Sequence, residues 1–203
     1  MQTLHHFQVR FEYYLKDHLF YQPPVELYVP VNYILGLGGK RLRPVMLMLG
    51  YYLFDEKVEK SLPAALAVEI FHNFTLLHDD IMDAAPLRRG HPTVHEKYGT
   101  NTGILSGDVM LAHAYNYLLQ LQIESTRLHS LMAVFTQTAI EVCEGQQMDM
   151  NFETRQDVTI AEYLKMIESK TSVLLAAALK MGSLLAGAIT ADADHLYEFG
   201  RYL

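Results

Sequence analysis

The residues best able to do chemistry lie in one short stretch, His78-Asp79-Asp80-Ile81-Met82-Asp83, followed closely by Arg88-Arg89-Gly90. Carboxylates are hard oxygen ligands of the kind Mg²⁺ takes, and a guanidinium fork matches the oxygens of a phosphate. Acids and arginines so close together suit a site that holds a diphosphate. A second basic group stands earlier, in Gly38-Gly39-Lys40-Arg41-Leu42-Arg43-Pro44. Its two glycines free the backbone ahead of three cations, so the loop can offer both N–H groups and side-chain charge to an anion. The spacing is not that of a nucleotide-binding P-loop.

The element that must position the acids is readable from the residues before them. Positions 64–82 contain neither Gly nor Pro, and Pro63 fits the first turn of a helix. On that helix Asp79 and Asp83 share a face, while Asp80 points roughly 100° away. Thr75 and His72 fall on the same stripe, so one wall presents His72, Thr75, Asp79 and Asp83. Two like charges a turn apart weaken a helix that has no cation to hold. A solvated acidic helix end is the alternative reading. Phe71, Phe74, Leu76, Leu77, Ile81 and Met82 count against it, because they make the acids project from a largely buried helix. His72 taken alone reads as a satisfied interior histidine, and its alignment with Asp79 is what makes it a candidate.

Breakers fall at Pro23-Pro24, Gly36 to Gly39, Pro63, Pro86 to Pro92, Gly99 to Gly107 and around 152–158. Between them, helical spacing predicts segments near 3–20, 42–54, 63–83, 107–122, 126–150, 160–168, 170–188 and 191–202. Alternating strand patterns are scarce. The fold expected is all-α, a bundle of long, mostly antiparallel helices around a central cavity, with 63–83 and 171–188 as its central members.

Composition narrows the function classes. Half of the 203 residues are apolar and 19% are charged, enough for a sizeable core in a single domain over 1–203. A net charge of −7 argues against a nucleic-acid surface. The lone Cys143 excludes an internal disulfide, fits a reducing, cytoplasmic setting, and reads as a core residue rather than a nucleophile. Residues 1–11 carry no secretory pattern. The run 171–191 is apolar, but Lys180 at its middle makes it a buried helix rather than a membrane span, so no stable membrane insertion is expected.

Taken together, the motifs resemble the trans-isoprenyl diphosphate synthase (polyprenyl synthetase) family. The resemblance rests on Gly38 to Pro44, on His78 with Asp79-Asp80-Ile81-Met82-Asp83, and on Arg88-Arg89-Gly90. Gly107-Asp108, Glu144-Gly145-Gln146 with Asp149, and Lys170-Thr171 follow in the family's order. It implies an isoprenoid-synthase fold, a Mg²⁺ cofactor, and condensation of an allylic prenyl diphosphate with isopentenyl diphosphate to a short-chain (C15–C20) product, usually by a homodimer.

By the same resemblance Asp79 and Asp83 ligate the metal, with Asp80 in support. Arg88 and Lys170 hold the allylic diphosphate, Thr171 faces the developing cation near a helix irregularity, and Gln146 adds a polar contact. Lys40, Arg43, His72 and Arg89 bind isopentenyl diphosphate. Arg41, Asp108 and Asp149 are read as structural. Phe74 and Thr75 set product length, with Phe71 as a further candidate floor; a plain core role for Phe74 stays open.

The family's second aspartate-rich motif has no counterpart before Leu203, which leads to the expectation of a chain lacking the C-terminal third and of weak or no activity for this form alone. A non-catalytic or truncated partner subunit and a class I terpene cyclase are the alternatives.

Overall fold

The computed structural model describes residues 4–203, which form two compact units. Among the described residues the first combines 4–44 with Leu62–Gln120, and the second combines Val45–Ser61 with Leu121–Leu203. Apart from a two-residue β-hairpin, the regular structure among the described residues is helical, as the spacing predicts.

The first unit contains α1 (Leu4–Asp17), α2 (Val25–Gly36), α4 (Leu62–Met82), the strands β1 (Leu87–Arg88) and β2 (His91–Pro92), the short α5 (Val94–Tyr98) and α6 (Thr100–Leu119). Helix α4 is its spine. Ala64, Ala65, Leu66, Ala67, Val68 and Ile70 are wholly buried, which suits a helix apolar on most sides. Helix α6 lies along α4 and runs antiparallel to it, since His78 meets Gly107 while Ile81 meets Gly103. A β-carbon at Gly107 would occupy the space of the His78 imidazole, so this close approach requires glycine.

The second unit holds most of α3 (Leu42–Tyr52), a 3₁₀ turn at Val58–Ser61, α7 (Ser125–Phe152), α8 (Ile160–Ile167), a π-helical turn at Glu168–Ser172, α9 (Val173–Ala186) and α10 (Thr190–Arg201). Its spine is α9, with Ala176, Ala177, Ala178, Leu179 and Met181 buried. At Gly182 a β-carbon would strike the Leu47 carbonyl, so α3 and α9 cross backbone to backbone. Lys180, the cation that argued against a membrane span, reaches across to Asp194 on α10 at 2.6 Å. No helix among the described residues is long and apolar enough to cross a membrane.

Three expectations need correction. Helix α2 was not expected, because no segment was predicted between the breakers at Pro23-Pro24 and Gly36 to Gly39. Pro24 serves as its N-cap and Pro30 is buried inside it, where the packing of Tyr28, Val31, Ile34 and Leu35 outweighs the lost backbone bond. Helix α6 begins at Thr100 rather than near 107, since Gly103 and Gly107 are contact points for α4 instead of breaks. Cys143 is exposed, not a core residue: it lies on the outer side of α7, next to buried Val142. The expected start of α1 at residue 3 lies outside the described residues.

Candidate active site

In the first unit the acids end α4. The Asp83 amide donates to the Asp79 carbonyl at 2.9 Å, so Asp83 follows Asp79 by one turn on the same side. The helix then closes in a Schellman arrangement: the Ala85 amide reaches the Asp80 carbonyl at 2.9 Å, and Ala84 takes the left-handed conformation at φ 48°. Thr75, a turn earlier, spends its hydroxyl on the His72 carbonyl at 2.8 Å.

The hairpin after α4 brings the arginines back to these acids. Arg89 (φ 53°) and Gly90 (φ 80°) form its tight turn, the two-residue geometry that suits the strand twist. Arg88 Nε donates to Asp80 Oδ2 at 2.7 Å, and Arg88 Nη2 lies 3.7 Å from Asp79 Oδ2. Asp80 is only 3% exposed, and its Oδ2 ties down Arg88. That bond holds the Arg88 guanidinium more firmly charged than usual.

On the next face of α4 stand the cations of the Gly38–Pro44 loop. Arg41, in a left-handed conformation at φ 49°, is buried and pairs with Glu69 Oε1 at 2.5 Å. It also donates to the Leu35 carbonyl at 2.7 Å, while Asn73 Nδ2 reaches the same Glu69 oxygen at 3.0 Å. This buried set ties the loop to the side of α4. Arg43 Nη1 then donates to His72 Nε2 at 3.1 Å, and the Arg89 guanidinium rests against Gly39, where a β-carbon would lie within 2.8 Å of it. Lys40 stands exposed on the loop.

Burial, followed by the charges of Arg43, Arg89, Arg88 and Arg41, pushes the His72 pKa down to about 2. His72 is therefore a neutral acceptor for Arg43, not a fourth cation. The Arg43 and Arg89 guanidiniums are themselves shifted down, mainly by loss of water. Cations gathered in this way suit an anion, which would offset their mutual repulsion.

The second unit carries the remaining expected residues. The backbone of α7 runs against the π-turn at Gly145, where a β-carbon would collide with the Lys170 amide nitrogen. The Val173 amide donates to the Glu168 carbonyl five residues back, which defines the turn. Lys170 Nζ binds Asp149 Oδ2 at 2.5 Å, one turn beyond Gly145 on α7. Thr171 is exposed and Gln146 half-buried. Arg201 of α10 holds Glu168, the first residue of the π-turn, at 2.6 Å.

Reasoning from the residues missed Glu69 and Asn73. Their signal was a carboxylate and an amide four apart inside an otherwise apolar helix, a spacing that demands a buried partner.

Among the described residues no three His, Cys, Asp or Glu side chains converge into a complete metal cage. Two carboxylates one turn apart nevertheless fit Mg²⁺, which takes one or two protein oxygens and fills its octahedron with water and substrate phosphate.

Residues 24–203 match the family model described as polyprenyl synthetase. A geranylgeranyl diphosphate synthase of Methanosarcina mazei is 49% identical over 180 residues, covering 89% of this chain and 56% of that protein. A geranylfarnesyl diphosphate synthase of Natronomonas pharaonis is 40% identical, covering 88% and 57% respectively. The crystal structure of a geranylgeranyl pyrophosphate synthase superposes with a TM-score of 0.95 at 49% identity, covering 99% of this chain and 61% of that one. The chain belongs to the polyprenyl synthetase family. It spans about half the length of the curated relatives that it matches.

Proposed function

We propose that the protein is a Mg²⁺-dependent trans-prenyltransferase that joins an allylic prenyl diphosphate to isopentenyl diphosphate, giving a short-chain (C15–C20) prenyl diphosphate. The observation that carries this reading is the pairing on α4 of an acidic end, Asp79 and Asp83, with a separate basic cluster of Arg43, neutral His72 and Arg89. One diphosphate needs one such holder. Two holders of different chemistry on a single helix suit two diphosphates, one held through metal and one without it.

The difficult step in the reaction is separating a diphosphate anion from an allylic cation, so the protein's help is electrostatic. Asp79 and Asp83 would hold Mg²⁺, which when bound draws charge from the departing diphosphate. Asp80 keeps Arg88 beside that end of α4, where its guanidinium meets the same anion. Lys40, Arg43 and Arg89 bind isopentenyl diphosphate, and His72 fixes the direction of Arg43. Lys170 and Gln146 are assigned to the allylic diphosphate, and Thr171 to the developing cation. Phe74, with Thr75, is assigned to limiting chain growth. This reading treats 1–203 as one synthase domain working in the cytoplasm as a homodimer.

A class I terpene cyclase ionises an allylic diphosphate but has no use for the Arg43–His72–Arg89 cluster, and a non-catalytic subunit has no use for intact Asp79 and Asp83. The test is incorporation of labelled isopentenyl diphosphate by the full-length protein. Asp79→Ala or Asp83→Ala should lower turnover at least 10³-fold, on the order of 4 kcal/mol of transition-state stabilisation. Wild-type rates in either variant would remove the metal assignment.

A further inference from the structure

The ring of His78 is placed where no assigned role uses it. Its edge meets the Phe74 ring at 4.8 Å between centroids and 65° between planes. Phe74 in turn meets Phe71 at 5.7 Å, so the three rings stand in a row at i, i+3 and i+7 on the face of α4 that α6 covers. The two ends of the row differ. Phe71 is 1% exposed and locked in the core, whereas the His78 side chain is 23% exposed. On its far side the imidazole fills the space that a β-carbon at position 107 would take, and its Nε2 lies 3.3 Å from the Ile104 carbonyl. Asp108 Oδ1 lies 3.9 Å from the same nitrogen.

A ring wedged in this way sets which rotamers its neighbour can adopt. Phe74 cannot swing toward Phe71, because that end is full. It can swing toward position 78 only if the imidazole leaves its notch in α6. We propose that His78 is a positioning residue for product length: seated on Gly107, it holds the Phe74 ring in place and so determines where a growing prenyl chain stops. The inference rests on the synthase reading and on Phe74 as the stop. It adds the pair His78 and Gly107, which act through Phe74 rather than by touching substrate.

The experiment is product-length analysis by mass spectrometry on the full-length protein, supplied with allylic diphosphate, isopentenyl diphosphate and Mg²⁺. His78→Ala should move the main product at least one five-carbon unit longer while prenyl transfer continues. His78→Leu, which keeps apolar contact between α4 and α6 but removes the flat ring, should lengthen it as well, and serves if the alanine variant fails to fold. Gly107→Ala alone should alter the distribution by expelling the imidazole. In the His78→Ala background the added methyl finds no ring to displace, so Gly107→Ala should add nothing further. Unchanged products in the folded His78 variants, or a further shift from Gly107→Ala when His78 is already gone, would overturn the proposal and leave the synthase reading intact. An unaltered protein that transfers no prenyl group would overturn both.

Discussion

His72 stays neutral beside several arginines, and this has a measurable thermodynamic sign. Its folded pKa of about 2 lies below the ordinary value of 6.5, so between those limits the unfolded chain binds a proton that the folded chain refuses. Stability attributable to this group is therefore intact above pH 6.5 and is lost as pH falls below it, at a limiting rate of about 1.4 kcal/mol per pH unit. His72→Gln, which keeps an acceptor for Arg43 without titrating, should lose less stability than the wild type between pH 6.5 and 4.5. Urea unfolding at several pH values gives the comparison, and parallel curves would deny the neutral, buried imidazole. Glu69 is the other telling residue at this scale. Glu69→Gln leaves the Arg41 charge buried without its counter-ion, a loss of about 3–5 kcal/mol. It should also raise KM for isopentenyl diphosphate more than KM for the allylic substrate, since Arg41 tethers the loop bearing Lys40 and Arg43. The acids and arginines were legible in the sequence because residue type states their chemistry. The state of His72 was not, because it depends on which charges the fold gathers around it.

Among the elements, α4 was legible almost to the residue, since a long run without Gly or Pro leaves few alternatives. Helix α2 was hidden between the breakers Pro23-Pro24 and Gly36 to Gly39, and the first two turns of α6 by Gly103 and Gly107, whose small size answers to a neighbour that no local pattern reveals. Local strain is testable in the same way. Ala84 closes α4 in a left-handed conformation at a cost of about 1 kcal/mol, so Ala84→Gly should raise the unfolding free energy by a similar amount. Calorimetry would show it as a higher Tm, and a lower Tm would contradict the capping geometry. Gly145→Ala should act in the opposite direction, destabilising by about 1–3 kcal/mol through the clash with the Lys170 backbone. Equilibrium unfolding in urea would measure that cost, and an unchanged midpoint would deny the close approach of α7 to the π-turn.

For the molecule as a whole, the net charge of −7 argued against a nucleic-acid surface but concealed how far the few cations are concentrated. On the proposed reading, an acidic protein holds acidic substrates through local fields, which salt screens. KM for isopentenyl diphosphate should therefore climb as KCl is raised from 0.05 to 0.5 M, by several-fold on the order expected for two or three partly exposed contacts. A flat salt response in steady-state assays would mean that Lys40, Arg43 and Arg89 do not hold it. The division into two compact units was not legible, because the chain passes from one to the other within α3, at the start of α4 and just after α6, and none of these places carries linker composition. The π-turn has the broadest consequence of any single feature here. Such a turn is an ordinary helix that has absorbed one surplus residue, so the wide turn takes up the rotation that residue would otherwise impose. Excising one residue between Glu168 and Ser172 would therefore heal the helix and leave the buried stripe of α9 close to its present phase. The same deletion made within α9 would rotate every later side chain by about 100° and turn that stripe outward, so the π-turn is the one place in this stretch where the chain can spare a residue.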